Sequence, residues 1–340
     1  WLALPLRLCY NKFNRKFDNQ KQRGTMMKIS NMNIPVSTAT NPKIMPGPAS
    51  RLKTSEKFPC RDPFILLYDG KYYFYQGAGE NGITCTVSDD LENWSEKVTV
   101  FTVPENFHGI KHLFWAPECH YYNGKFYIFT SVFSGTYNHR VISVYRADNP
   151  LGPFEDIAGG CITPKDWDAI DGTLYVDENA QPWMVFVHEW TSMPDHNGGM
   201  AAAKLSDDFT HFTSQPIQLF LAKDPPWATS GVTDGPYVFK TDDGVLSMIW
   251  SNFSSNGYVV AVASSDNGLI TGKWSHRDHL LYEKNMRPEF TTDGGHAMIF
   301  YDKEGKLRLA LHGPNGKANG DFEHLQLFYL EEKNGTIEIV

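Results

Sequence analysis

A chain of 340 residues, 41% hydrophobic and 14% aromatic, carries enough apolar surface for one large domain or two ordinary ones. Its formal charge of -8 argues against a polyanionic partner such as nucleic acid or an anionic membrane. No apolar run approaches the roughly 20 residues of a membrane span, and five cysteines (Cys9, Cys60, Cys85, Cys119 and Cys161), odd in number and without ligand spacing, speak against a disulfide framework or a zinc site.

The chain opens on Trp1. Trp1 to Leu8 is apolar but short and broken by Arg7, and Asn11 to Arg23 is basic and polar. A secretory signal needs the reverse order and a longer apolar core, so the expected location is the cytoplasm. Met26-Met27 reads as a natural start, with residues 1–25 as vector or upstream sequence. Residues 28–56 hold Asn, Pro, Ser and Thr without a period. Residues 1–56 are therefore expected to be an extended lead-in to a single domain over 57–340.

That domain begins with Arg61-Asp62-Pro63, the apolar run Phe64 to Tyr68, and Asp69-Gly70 turning into Lys71 to Tyr75. Asp-Gly between two β-rich runs predicts a hairpin, because glycine accepts the positive φ of the turn. Pro63 donates no backbone hydrogen bond and suits a strand's first residue, which leaves Asp62 at a strand mouth. The unit then recurs. Phe114 to Glu118 leads to a turn at Asn123-Gly124, Ile170 to Tyr175 to a turn near Glu178-Asn179, Thr233 to Phe239 to Asp243-Gly244, and Gly294 to Phe300 to a turn near Glu304-Gly305. Each hairpin is followed by one or two further strand-like runs. Units of about 55–65 residues with three or four strands each predict a β-propeller, here all-β and five-bladed. No stretch keeps a helical period.

In a propeller the innermost strand of each blade enters at one face of the central channel. Asp62, Trp115 with Glu118, Asp171, Asp234 and His296 should therefore converge. Three Asp side chains at one mouth repel one another unless something uses or neutralises their charge.

These ordered motifs, Arg61-Asp62-Pro63, Trp115-Ala116-Pro117-Glu118, Ile170-Asp171-Gly172, Thr233-Asp234-Gly235-Pro236 and Gly294-Gly295-His296, resemble glycoside hydrolase family 43, over about residues 57 to 330. The resemblance implies an inverting glycosidase acting on terminal α-L-arabinofuranosyl, β-D-xylosyl or galactofuranosyl units of an oligosaccharide or polysaccharide, working as a monomer without a required cofactor. It implies Asp62 as general base and Asp171 as the carboxylate that orients the general acid and raises its pKa. The family's acid is a Glu before Gly-Pro in the fourth blade, where this chain has Asp234. Position favours Asp234 as the acid, and Glu189 of His188-Glu189-Trp190 is the alternative. Trp115, Glu118, His296 and Arg287 are candidate sugar contacts. His296 matches a position that the family uses near a bound cation, which makes Ca²⁺ in the channel a candidate, although calcium prefers an all-oxygen shell. Competing readings are a catalytically inactive carbohydrate-binding propeller and a fructosidase of the invertase group. The latter also has an Arg-Asp-Pro, and Pro117-Glu118-Cys119 matches its Glu-Cys pair, but no Asn-Asp-Pro precedes Asp62 here. Trp94 and Trp274 read as structural, and Ser88-Asp89-Asp90 and Ser206-Asp207-Asp208 as turn formers.

Overall fold

Asp69 and Gly70 have φ of 47° and 71°, and Asn123 and Gly124 have 47° and 81°. These are the paired positive values that a tight hairpin turn demands and that Asn, Asp and Gly tolerate. The structure, a computed structural model, describes residues 58–78, 82–316 and 321–340. The lead-in, and with it the reading of Met26-Met27 as a start, lies outside the described residues.

Among the described residues, twenty strands form five antiparallel sheets of four. Blade 1 is β1 (Ile65–Tyr68), β2 (Lys71–Gly77), β3 (Ile83–Ser88) and β4 (Val98–Phe101). Blade 2 is β5 (Gly109–Tyr122), β6 (Lys125–Ser134), β7 (His139–Ala147) and β8 (Glu155–Asp156). Blade 3 is β9 (Ala169–Val176), β10 (Pro182–His188), β11 (Gly199–Lys204) and β12 (Ile217–Leu221). Blade 4 is β13 (Asp234–Lys240), β14 (Leu246–Ser254), β15 (Gly257–Ser265) and β16 (Trp274–His276). Blade 5 is β17 (Gly295–Tyr301), β18 (Leu307–Gly313), β19 (His324–Lys333) and β20 (Thr336–Ile339). No helix forms among the described residues, and so none is long and apolar enough to cross a membrane.

The five first strands, β1, β5, β9, β13 and β17, neighbour one another in a ring, which makes the fold a five-bladed β-propeller. The ring closes where the chain enters blade 1. Leu325 donates to the Phe58 carbonyl (2.9 Å) and Cys60 to the Glu323 carbonyl (3.1 Å). Aromatic side chains fill the seams, among them Phe74, Phe126, Phe129, Phe186 and Trp250, all fully buried. Each is worth roughly 1.5–3 kcal/mol against solvent exposure. Trp94 stacks on Phe58 at 4.9 Å, and the Trp274 indole donates to the Ile270 carbonyl, so both tryptophans are structural. Ser88 and Asp90 accept backbone N–H groups of the turn that follows them, as do Ser206 and Asp208.

One irregularity repeats around the ring. β5 pairs Trp115 with Ser131 and then Glu118 with Phe129. β9 pairs Ile170 with Val187 and then Thr173 with Val185. β13 pairs Asp234 with Ser251 and then Tyr237 with Ile249. β17 pairs Gly295 with His312 and then Met298 with Ala310. Each time two residues oppose one, a β-bulge that re-aims side chains and leaves a backbone N–H outside the ladder. The first residue of each bulge has a left-handed φ: Ala116 41°, Asp171 54°, Gly235 49°, His296 47°. Asp62, just ahead of β1, has 49°. For a residue other than glycine this conformation costs about 1–3 kcal/mol.

Candidate active site

The cost is offset across the blade seams. At four of these five positions the N–H donates to a side chain of the preceding blade. Asp171 donates to Ser131 Oγ (3.0 Å), His296 to Ser251 Oγ (2.8 Å), Asp62 to His312 Nδ1 (3.1 Å) and Gly235 to Asp171 Oδ2 (3.0 Å). Ser131, Ser251 and His312 occupy equivalent places on the second strands of their blades, opposite the residue that precedes each bulge. In blade 3 that place is Val187, which has no acceptor, and Asp171 supplies one instead. Gly235 must be glycine, since a Cβ there would stand 2.7 Å from His296 Cδ2.

The bulges of blades 3 and 5 aim Asp171 and His296, and the left-handed turn ahead of β1 aims Asp62, at one point. His296 Nδ1 lies 3.1 Å from Asp62 Oδ1 and 3.7 Å from Asp171 Oδ2. A cavity of about 530 Å³ opens above them, lined also by Arg61, Trp115, Glu189 and Asp234. Of the residues expected to meet, Asp62, Trp115, Asp171, Glu189, Asp234 and His296 do so. Two do not. Glu118 is buried, 5% exposed, below the mouth and bonded to His120 (3.2 Å), because β5 carries it past the bulge into the interior. Arg287 is not among the lining residues. Its guanidinium donates to the Ile339 carbonyl on the outermost strand of blade 5, so it closes a blade edge.

Each carboxyl has its own electrostatic setting. Burial raises the Asp62 carboxyl, but the adjacent His296, with His312 and Arg61, outweighs burial and holds it well below the usual carboxylate range. Burial alone would depress His296. The charges of Asp62, Asp171 and Asp234 prevail and push it up to about 10, so the ring is an imidazolium at neutral pH. A ring protonated on both nitrogens has no lone pair to offer a cation. No group of three or more His, Cys, Asp or Glu able to hold a metal ion occurs among the described residues. Nothing among the described residues therefore supports the Ca²⁺ expected beside His296.

Burial, with the charges of Asp234 and Asp62, raises Asp171, against the pull of His296 and the Gly235 N–H. Burial also raises Asp234, opposed by His296 and by Tyr258, whose hydroxyl donates to Asp234 Oδ2 at 2.8 Å. Glu189, at the end of β10, is pushed up to about 8 by burial and by Asp234, Asp171 and Asp168. No hydrogen bond reaches its carboxyl among the described residues. Asp168 braces this corner. Its carbonyl accepts the Glu189 N–H (2.8 Å), and its carboxylate accepts Thr191 Oγ1 (2.7 Å) and the Arg140 N–H (3.1 Å). The Arg140 guanidinium in turn stacks 3.6 Å from the centre of the Trp115 ring and steadies an indole that is 40% exposed.

Sequence reasoning missed Tyr258 and the tie between His312 and Asp62. Tyr258 sits on a third strand and carries no motif. His312 lies in Leu311-His312-Gly313-Pro314-Asn315, and its link to Asp62 crosses a blade seam, so no local spacing reports it.

The family described as Glycosyl hydrolases family 43 matches residues 57–331. The chain is 28% identical over 301 residues to the extracellular exo-α-(1→5)-L-arabinofuranosidase ArbA of Cellvibrio japonicus, covering 78% of this chain and 82% of that protein. It is 27% identical over 145 residues to the extracellular endo-α-(1→5)-L-arabinanase 1 of Bacillus subtilis, covering 39% of this chain and 44% of that one. An endo-arabinase from Bacteroides thetaiotaomicron shares its structure with a TM-score of 0.73 at 33% identity, over 83% of this chain and 97% of that one. With the family spanning nearly all of the propeller and its carboxylates gathered at one mouth, the chain belongs to glycosyl hydrolase family 43 and is a glycosidase.

Proposed function

We propose that the enzyme cleaves α-L-arabinofuranosyl linkages by a single displacement with inversion. The reading is carried by one cavity lined by two carboxyls in opposite settings, Asp62 lowered by His296 at 3.1 Å and Glu189 raised to about 8 by burial and neighbouring carboxylates. Inversion needs such a pair, a base to deprotonate water on one face of the sugar and an acid to protonate the leaving oxygen on the other. Asp62 is the base. His296 and the strained backbone hold it in place and keep it ionised. Asp171, buried beneath and bonded to Gly235, adds charge that helps keep the acid protonated.

For the acid, our reading favours Glu189 over Asp234. Burial raises both carboxyls, but Asp234 Oδ2 accepts the Tyr258 hydroxyl, which opposes the rise there. The Glu189 carboxyl has no such donor and holds its proton at neutral pH. Glu189 also reaches one methylene further than an Asp. In this reading Asp234 raises Glu189 by like charge and shapes the pocket. The choice of arabinose rests on similarity to two arabinan-acting relatives and one endo-arabinase.

Two measurements test the reading. Among 4-nitrophenyl α-L-arabinofuranoside, β-D-xyloside and β-D-galactofuranoside, the first should give the highest kcat/KM. Proton NMR in early turnover should show the inverted anomer first. A faster xyloside would change the sugar, and first appearance of the retained anomer would exclude single displacement.

The pH profile should be set by the same pair. A general acid works protonated, and Glu189 is raised, so kcat/KM should fall as pH rises through about 8. Asp62 is lowered and stays ionised, so no acid-side loss should occur across the ordinary carboxylate range. A profile already falling with rising pH below neutrality would contradict Glu189 as the acid.

A further inference from the structure

A second cavity, of about 380 Å³, lies at the seam of blades 1 and 5, lined among others by Arg61, Gln76, Lys97, Phe322 and Glu323. It shares Arg61 and Gln76 with the catalytic cavity, and its Gly316 follows Asn315, which lines the catalytic one. The two cavities adjoin at Arg61 and Gln76. Arg61 stands at the divide, with its guanidinium 3.6 Å from Asp62 Oδ2 on one side and 2.5 Å from Glu323 Oε1 on the other. Glu323 Oε1 also accepts the Gly316 N–H at 2.8 Å, and the backbone bonds that close the propeller ring run beneath. The floor is therefore tied down.

The lining has a particular chemistry. Phe322 is a large hydrophobic side chain left 42% exposed. Beside it stand an ammonium, a guanidinium, a carboxylate and an amide. The Gln76 amide nitrogen donates to the Pro59 carbonyl (3.2 Å), which leaves its carbonyl oxygen available. An exposed ring among hydrogen-bonding groups matches a pyranose or furanose, which offers an apolar C–H face and an edge of hydroxyls. An apolar peptide would leave the Lys97 ammonium and the Gln76 amide oxygen without partners, and a polyanion would meet Glu323 and a net charge of -8.

We propose that this second cavity is a subsite for further sugar units of the chain being cleaved, with Phe322 as stacking platform and Gln76 and Lys97 binding hydroxyls. It rests on the glycosidase reading above and extends it: the enzyme selects oligosaccharides over single glycosides.

The test compares 4-nitrophenyl α-L-arabinofuranoside with linear α-1,5-linked arabino-oligosaccharides from disaccharide to hexasaccharide, or the xylo-series if the aryl panel selects xylose. For the unmodified chain, kcat/KM should rise with oligosaccharide length. Phe322→Ala should lose at least about tenfold more on the hexasaccharide than on the aryl glycoside, equivalent to ~1.4 kcal/mol. Lys97→Ala, at an exposed position that folding does not need, should show a smaller loss of the same selectivity. No rise with length, or equal losses on both substrates, would overturn the subsite. Calorimetric binding of the hexasaccharide to Asp62→Asn, with and without Phe322→Ala, decides the matter without turnover. Binding weakened at least about fivefold by Phe322→Ala supports the subsite, and absent or unaltered binding overturns it. If no aryl glycoside or oligosaccharide is hydrolysed, the catalytic reading fails by itself, and the binding comparison still judges the subsite.

Discussion

Asp62→Asn is expected to lower kcat by about 10²–10⁴ on the best substrate, the usual cost of losing a general base, while the protein stays folded. The side chain keeps its shape, so the water can still be placed, but the amide cannot accept its proton. Two features predict that the fold survives. Asn tolerates the left-handed conformation of this position better than most residues do, and the N–H that donates to His312 Nδ1 belongs to the backbone. The electrostatic consequence falls on His296. With the Asp62 charge gone, only Asp171 and Asp234 remain to support the imidazolium, so its pKa should drop from about 10, a shift that NMR of the ring protons would record. A variant keeping more than a tenth of kcat would remove Asp62 from the role of base. A large loss of kcat together with a collapsed melting temperature would mean that folding had been measured in place of chemistry.

The second large effect separates the two candidate acids. A phenol of low pKa leaves without help, whereas a sugar alcohol needs a proton in the transition state. Glu189→Gln should therefore reduce hydrolysis of arabino-oligosaccharides by about 10²–10⁴ and reduce that of 4-nitrophenyl arabinofuranoside far less. Asp234→Asn should affect both substrates alike, because a residue that shapes the pocket serves either leaving group. It should also move the alkaline limb of the pH profile to lower pH, since the Asp234 charge is, after burial, the largest contribution that raises Glu189. Tyr258→Phe, which removes the 2.8 Å hydrogen bond to Asp234, should leave the leaving-group preference as it is in the unmodified enzyme. The opposite pattern, with selective loss in Asp234→Asn and uniform loss in Glu189→Gln, would return the acid to the fourth blade, where position in the chain puts it.

Local chemistry was enough to read the blades. Asp69-Gly70 and Asn123-Gly124 turn where a positive φ is needed, Pro63 starts a strand because it has no N–H to give, and the same hairpin five times over leaves little but a propeller. Convergence of the strand mouths then followed from the fold class, which is why Asp62, Asp171, Asp234 and His296 could be named before their distances were known. What the chain could not reveal is which charges lie within reach of one another. Glu189 and Asp234 are both carboxyls near a blade entrance, and only the packed structure puts a Tyr258 hydroxyl on one and leaves the other half-buried beside like charges. His296 lies against Asp62 and Asp171, a neighbourhood that Gly294-Gly295-His296 does not report by itself. Arg287 looked able to reach a sugar because its sequence neighbours say nothing about where β20 ends. A pKa depends on everything within several ångströms in space, and many of those neighbours come from other strands and other blades, so the tertiary structure alone decides it.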